Sequence, residues 1–438
     1  MKAISFKTLG CKVNQYETQA IREQFLQAGY REIQNERADI YVINTCTVTA
    51  TADSKSRQLI RACHRLNPKA IIVVTGCYVE RDWEDIEKIE GVDFIIGNHQ
   101  KSEILKVILQ SQTAKDVGSD PKEVTAGRKG LTPKRLSISK FFGHTRAFLK
   151  IQDGCNRRCS YCKVRIVRGR SRSRGLDDII EEAKRLAEAG FKEIILCGVQ
   201  LGSYGVGLED GFSLSDVIEN LEAIDGIKRI RLSSIEPTDI TVGLIRRMAG
   251  QGKLCRHLHI PLQSGDDEIL GRMNRGYCTR DFKELIMRIR GSVSEVSITT
   301  DIMVGFPGEK EDSFGRTLEM IRAIMPSRIH IFPYSRREGT KAADFQGTVS
   351  PREIKARVAR LKEIALTSSF SYRKKFLGQS LDLLVEAKRD PKTGLLCGYT
   401  DTYIKVLIEG SDGLMNQIIP VEVTEVERDY TLGSTLYH

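Results

Sequence analysis

Along the first hundred residues the apolar positions gather into four short runs, Ala3 to Leu9, Ile40 to Asn44, Ile71 to Thr75 and Val92 to Ile96. Stretches with helical spacing, such as Tyr16 to Ala28 and Asp53 to Leu66, separate them. Short β-rich runs alternating with helices predict a parallel sheet, because parallel neighbours need a crossover long enough to bring the chain back. An α/β domain is therefore expected over residues 1–110. The pattern then dissolves: Ser111 to Lys140 is rich in Lys, Gly, Ser and Thr with two prolines, and residues 111–145 read as a linker.

A second alternation follows, with strand candidates at Ala147 to Ile151, Glu193 to Cys197, Arg229 to Ser233, His257 to Leu262, Val296 to Val304 and Arg328 to Pro333. Helical patterns lie between them, the clearest at Asp177 to Ala189 with Gly190 as a stop. Six βα units predict a partial (β/α)6 barrel over residues 146–368, short of the eight that close a ring. Polar and Gly-rich loops follow the strands, and ligands bind outside the carboxyl ends of parallel strands. An amphipathic helix from Pro351 to Lys375 leads into residues 369–438, where alternating runs at Leu381 to Glu386, Tyr403 to Glu409 and Gln417 to Val426 are split by glycines. A small antiparallel β-barrel is expected there.

The length, 438 residues, suits two or three domains, and 40% apolar with 29% charged residues describes a chain that folds. No apolar run approaches the roughly 18 to 20 residues needed to cross a bilayer. Met1 to Gly10 lacks the apolar core of a signal peptide, so a cytoplasmic location without membrane association is expected. Eleven cysteines fall far below the density of a disulfide scaffold, so grouped thiols point to metal or catalysis.

Two groups stand out. Cys155, Cys159 and Cys162 form a C-x3-C-x2-C loop directly after the first barrel strand. Three thiolates on one loop can hold three irons of a [4Fe-4S] cube and leave the fourth open. Zinc is the alternative, but it wants a fourth ligand and His144 is the only close nitrogen. Cys11, Cys46 and Cys77 each end a predicted strand, and a parallel sheet brings those ends to one rim. The alternative for these three is unrelated core thiols, the reading that also suits Cys63, Cys197, Cys255, Cys278 and Cys397. No Ser-His-Asp or zinc-protease motif occurs among the seven His.

The loop spacing, with Tyr161 before the third Cys and six βα units behind it, resembles the radical S-adenosylmethionine superfamily. That resemblance implies that the open iron chelates the methionyl amine and carboxylate of S-adenosylmethionine, which an electron cleaves to methionine and a 5'-deoxyadenosyl radical. An electron-donor protein is then a partner. Thr8-Leu-Gly-Cys-Lys-Val-Asn-Gln-Tyr-Glu17, Asn44-Thr-Cys-Thr-Val-Thr49 and Val74-Thr-Gly-Cys77, joined to the second group of thiols and a terminal β module, are similar to the methylthiotransferase family. This implies a second [4Fe-4S] cluster on Cys11, Cys46 and Cys77, a C-terminal TRAM-like RNA-binding module, and two S-adenosylmethionine molecules per turnover, one for methylation and one for the radical. Departures from the family pattern are Lys163-Val-Arg-Ile-Val167 after the third loop Cys, and Gln200 where Asn is common. Gln200, Glu236, Gln263 and Asp301 lie at or beyond strand ends, placed either to meet S-adenosylmethionine or to satisfy loop backbone.

The net charge is +11, and eight basic residues lie between Arg157 and Arg174 with no acid from Gly154 to Leu176. Arginines there suit phosphate contacts, with Arg168, Arg170, Arg172 and Arg174 as RNA-binding candidates; a solvated basic loop is the alternative. Residues 370–438, with eight Lys plus Arg against ten Asp plus Glu, make a poor electrostatic grip on RNA except at Arg373-Lys374-Lys375. The blocks Leu9 to Asn14, Arg168 to Arg174, Leu201-Gly-Ser-Tyr-Gly205 and Pro333 to Thr340 resemble the branch acting on N6-threonylcarbamoyladenosine at position 37 of tRNA. Sister branches use isopentenyladenosine in tRNA or a ribosomal-protein aspartate, and a noncatalytic metal-containing RNA-binding protein is the rival from another class. A monomer is expected.

Overall fold

The computed structural model describes residues 2–34, 36–116 and 135–436. The first module comprises β1 (Ala3–Thr8), α1 (Lys12–Gln27), β2 (Arg31–Glu32), β3 (Ile40–Thr45), α2 (Ala50–Leu66), β4 (Ile71–Gly76), α3 (Trp83–Glu87), β5 (Phe94–Ile96) and α4 (Ile104–Asp116). Its strands run parallel in the order β2-β1-β3-β4-β5. All six residues of β3 are buried, as a central parallel strand covered on both faces requires. Helix α1 starts four residues before its apolar spacing predicts, because its first turns bury the polar side chains of Asn14, Glu17 and Thr18. Of the expected linker, residues 117–134 lie outside the described residues.

The central module follows with β6 (Ala147–Lys150), β7 (Gln152–Asp153), α5 (Val164–Arg168), β8 (Arg172–Ser173), α6 (Leu176–Glu188), β9 (Glu193–Cys197), α7 (Leu214–Glu222), β10 (Arg229–Leu232), α8 (Val242–Ala249), β11 (His257–His259), α9 (Asp267–Met273), α10 (Thr279–Ser292), β12 (Ser297–Val304), α11 (Glu311–Ile324) and β13 (Arg328–Pro333). Two parallel three-stranded sheets, β10-β9-β6 and β11-β12-β13, are joined through the bridges Ile230–Leu254 and Ser234–His259. Six strands thus curve into an open barrel, and the helices cover its outside with one continuous apolar core.

Helix α12 (Pro351–Lys374) has a Ser350/Glu353 capping box with proline in its first turn, a combination that satisfies the free amides at a helix start. It leads to β14 (Ser380–Val385), β15 (Leu396–Thr400), β16 (Lys405–Ile408), β17 (Ile418–Val426) and β18 (Thr431–Thr435), a closed barrel in the order β14-β15-β16-β18-β17. Its pairs are antiparallel except β16–β18. The apolar pattern missed β15 because Gly398 interrupts it; a Cβ there would lie 2.4 Å from the Leu384 carbonyl oxygen.

The terminal barrel sits under the amino ends of the central strands. Arg229 donates to the Tyr399 and Asp382 carbonyls at 3.0 and 2.7 Å, and Arg231 to those of Asp401 and Thr400 at 2.8 and 3.0 Å. Glu193 balances Arg231 at 2.7 Å, and Tyr403 stacks on His257 with ring centroids 4.7 Å apart. The first module covers the opposite, carboxyl ends: Tyr16 donates to Glu182 at 3.0 Å, and Arg337 reaches Thr47 and Asp53 at 2.7 and 2.6 Å. No helix among the described residues is long and apolar enough to cross a membrane.

Candidate functional site

Two sets of three thiols lie at the junction between the first module and the barrel. The rim triad is built by topology: Cys11, Cys46 and Cys77 follow β1, β3 and β4, which are adjacent strands in the sheet. Parallel register brings their ends together, since Thr8 pairs with Asn44 and Thr45 with Gly76. Gly10 and Gly76, each preceding a cysteine, have φ of +110° and +106°. A Cβ on Gly10 would lie 3.2 Å from Cys46 Sγ, and one on Gly76 only 2.3 Å from the Thr45 carbonyl. Only glycine fits at both turns.

The loop triad is built locally. Between β7 and α5 the chain folds back on itself, with the Cys155 amide donating to the Gly169 carbonyl at 3.1 Å and the Cys162 amide to that of Cys159 at 3.2 Å. Donors point at the sulfurs of both sets. The Arg157 and Val164 amides donate to Cys155 and Cys162 Sγ at 3.4 and 3.5 Å, Arg275 Nη1 to Cys159 Sγ at 3.2 Å, and Arg168 Nε to Cys77 Sγ at 3.2 Å. Such donors suit anionic, metal-bound sulfur. Burial pushes the Cys162 thiol up to about 12 and that of Cys46 up to about 11, and it raises Cys155 and Cys77 as well. These four thiols therefore release protons when metal binds.

Among the described residues, only His259, Asp301 and His330 bring three donor atoms within 4.8 Å of one another, the spacing of a single ion. Neither thiol set is that tight, so both suit the separated corners of a cube better than one zinc. His144 packs edge-on against Phe141 and supplies no fourth ligand. Cys63, Cys197, Cys255 and Cys397 are buried, and Cys278 is half-buried at the start of α10.

Two of the expected cofactor contacts gather at the loop triad. Cys155 Sγ donates to Gln200 Oε1 at 3.2 Å, and Arg275, paired with Glu236, ties that carboxylate to Cys159. Gln263 lies beside Asp301, its amide donating to the Asp301 carbonyl at 2.8 Å. Its buried Oε1 has no partner among the described residues and is free to accept from a ligand. Asp301 has side-chain partners that its sequence position did not indicate. Its carboxylate lies 3.2 Å from His259 Nε2 and 3.3 Å from His330 Nδ1; although burial opposes it, these hydrogen bonds hold the carboxyl below the usual range. Each of its oxygens faces an imidazole.

The basic run also divides. Arg170 and Arg172 are exposed, as an RNA contact requires. Arg168 is only 3% exposed, committed to Glu17 at 2.9 Å, Asp153 at 3.0 Å and Asn14 at 2.5 Å besides Cys77. Arg174 donates to Tyr16, the Lys150 carbonyl and Glu182 at 3.1, 2.7 and 2.9 Å. These two are corrections: a guanidinium whose donors face inward cannot grip phosphate. In the terminal barrel, Arg373 is likewise engaged with Thr431 at 2.9 Å, leaving Lys374 and Lys375 exposed.

Sequence reasoning missed Glu17, Lys101, Lys150 and Asp153, which surround Arg168, and Arg275. Glu17 pairs with Lys150 at 2.7 Å and with Lys101, and Lys150 also pairs with Asp153 at 2.7 Å. Burial works to raise the Glu17 carboxyl, yet Arg168, Lys101 and Lys150 together hold it well below the usual carboxylate range. A signal existed for Asn14 and Glu17, polar residues three apart on the inward face of α1. For Arg275, placed by the left-handed turn at Asn274, none did.

Comparison with known proteins gives a consistent picture. Residues 3–97 match Uncharacterized protein family UPF0004, residues 149–321 the Radical SAM superfamily and residues 374–436 the TRAM domain. The chain is 37% identical to a threonylcarbamoyladenosine tRNA methylthiotransferase of Bacillus subtilis, covering 99% of this chain and 96% of that protein. It is 38% identical to the same-named protein of Aquifex aeolicus, covering 93% and 97%. It is also 34% identical to a tRNA-2-methylthio-N6-dimethylallyladenosine synthase of Pelotomaculum thermopropionicum, covering 100% and 98%. Among solved structures, the radical S-adenosylmethionine methyltransferase TsrM from Kitasatospora setae, with cobalamin and a [4Fe-4S] cluster bound, superposes with a TM-score of 0.54 at 14% identity. That match covers 78% of this chain and 77% of the other, and it shows a shared fold.

Proposed function

Because the chain belongs to the methylthiotransferases of the radical S-adenosylmethionine superfamily, we propose that it places a methylthio group on C2 of N6-threonylcarbamoyladenosine at position 37 of tRNA. Enzymes of this family use iron–sulfur and S-adenosylmethionine chemistry, and a TRAM domain and tRNA-modifying relatives imply tRNA as the partner. In the finer reading two [4Fe-4S] clusters are held, one by Cys155, Cys159 and Cys162 and one by Cys11, Cys46 and Cys77. When bound, these groups and two S-adenosylmethionine molecules per turnover supply one-electron cleavage of a sulfonium and transfer of sulfur and methyl to an unactivated aryl carbon.

The carrying observation is that the two triads meet at one helix end: Arg168, six residues beyond Cys162, touches the sulfur of Cys77, and the carbonyl of the next residue, Gly169, holds the Cys155 amide. Two chemistries that must meet at one carbon thus share one interface. Gln200, Glu236 and Gln263 orient S-adenosylmethionine over the loop triad. The first module covers the barrel mouth and excludes water from a reactive site. Arg170 and Arg172 hold phosphates of the tRNA, with Lys374 and Lys375 as a second contact. The enzyme works as a monomer in the cytoplasm, where tRNA is available, and takes electrons from a separate donor protein.

Anaerobic turnover with threonylcarbamoylated tRNA, read by nucleoside mass, tests the proposal. The expected product is 2-methylthio-N6-threonylcarbamoyladenosine. Product formed only on isopentenyladenosine tRNA would move the chain to the dimethylallyladenosine branch, whose members are also similar to it at 33 to 36% identity.

A further inference from the structure

Arg168 lies in neither thiol loop, yet it is the buried side chain whose donors reach both halves of the site. It ends α5, six residues beyond Cys162, and its position is fixed because the next carbonyl, that of Gly169, holds the Cys155 amide at 3.1 Å. Four of its contacts lead away from α5: Nε to Cys77 Sγ at 3.2 Å, Nη1 to Glu17 and Asp153 at 2.9 and 3.0 Å, and Nη2 to Asn14 at 2.5 Å. Cys77, Asn14 and Glu17 belong to the first module; Asp153 belongs to the barrel.

The buried charges around it are three cations, Arg168, Lys101 and Lys150, and two anions, Glu17 and Asp153. One positive charge is left over, and the guanidinium carries it to a single sulfur. By contrast, the guanidinium on Cys159 is balanced by its own partner, since Arg275 pairs with Glu236.

We propose that Arg168 is a positioning residue that fixes Cys77 against the barrel and raises the reduction potential of the rim-triad cluster, an inference that rests on that cluster being present. Hydrogen bonds to cluster sulfur and nearby positive charge both stabilise the more negative, reduced state. Removing the N–H and the charge therefore makes the cluster harder to reduce.

The test is an anaerobic dithionite titration followed by electron paramagnetic resonance, on the full-length chain with Cys155, Cys159 and Cys162 replaced by alanine so that only the rim triad is loaded. Relative to this parent, Arg168→Met shifts the midpoint to more negative potential. Glu17→Gln combined with Arg168→Met keeps the net charge of the group and loses only the hydrogen bond, so it shifts in the same direction by less; it also removes the buried carboxylate that lost its arginine partner, should Arg168→Met alone fail to fold. Arg168→Lys recovers part of the shift. An unchanged midpoint in any loaded variant lacking the arginine donor overturns the proposal. A parent that loads no cluster overturns instead the two-cluster reading on which it stands.

Discussion

The two thiol sets supply the same three sulfurs by opposite means. The loop triad comes from one eight-residue stretch, Cys155 to Cys162, closed by the Cys162 amide on the Cys159 carbonyl, with distant segments bracing it from outside, as where the Ser160 amide donates to the Met273 carbonyl at 3.0 Å. The rim triad exists only because β1, β3 and β4 are neighbours in a parallel sheet, and its members are 35 and 31 residues apart in the chain. Local geometry tolerates damage elsewhere, whereas an assembled site inherits the stability of everything that assembles it. The rim triad is accordingly backed by a buried network of five charged groups that also fastens the first module to the barrel.

The largest effects separate the chemical roles. Alanine at any one of the six cysteines should abolish methylthiolated product. Replacing Cys155, Cys159 or Cys162 should also abolish S-adenosylmethionine cleavage, whereas replacing Cys11, Cys46 or Cys77 should leave cleavage measurable by release of 5'-deoxyadenosine. Product formation by any of the six variants would break the comparison outright.

Next in size is Glu17→Gln. Removing one member of a buried ion network leaves its partners uncompensated and costs about 3 to 5 kcal/mol. Its pH dependence has a definite sign. The folded Glu17 carboxyl lies below its unfolded value, so its stabilisation is complete above an ordinary glutamate pKa of about 4.3 and is lost as pH falls toward the folded value. Thermal midpoints of the cluster-free chain should therefore fall more steeply for wild type than for Glu17→Gln as the pH is lowered through about 4. Parallel curves would remove the network from the account.

How much of this was legible beforehand follows from the same contrast. The six barrel strands and the loop triad were readable because periodicity and a fixed cysteine spacing are local properties. The rim triad needed the predicted sheet as well, since only strand adjacency unites Cys11, Cys46 and Cys77. Arg168 and Arg174 were misjudged because a basic run looks the same in sequence whether its side chains face water or buried carboxylates. Arg170 and Arg172 are exposed in the same run, so the carboxylates that happen to face Arg168 and Arg174, Glu17, Asp153 and Glu182, rather than the run's charge, decided the outcome. The partners of Asp301 were not legible because His259 and His330 come from two other strands.

A smaller effect belongs to Gly76→Ala. The new methyl meets the Thr45 carbonyl in a left-handed turn, which costs about 1 to 3 kcal/mol. Iron loading should drop at the rim triad alone, visible as a loss of product with S-adenosylmethionine cleavage retained; equal loss of both would show that the two sites are not separable.

The smallest is at the surface. Arg170→Ala and Arg172→Ala should each weaken tRNA binding by about 1 kcal/mol and lower the slope of log affinity against log salt by about 1, without changing iron content. A binding loss that does not depend on salt would mean that these side chains are not phosphate contacts.

The most direct measurement is iron and acid-labile sulfide per chain after anaerobic reconstitution, made on the wild type and on two triple variants. Wild type should carry about eight of each. Replacing Cys155, Cys159 and Cys162 together, or Cys11, Cys46 and Cys77 together, should leave about four in either case. A wild-type chain holding only about four, or a triple variant that retains the full complement, would contradict two independent cluster sites.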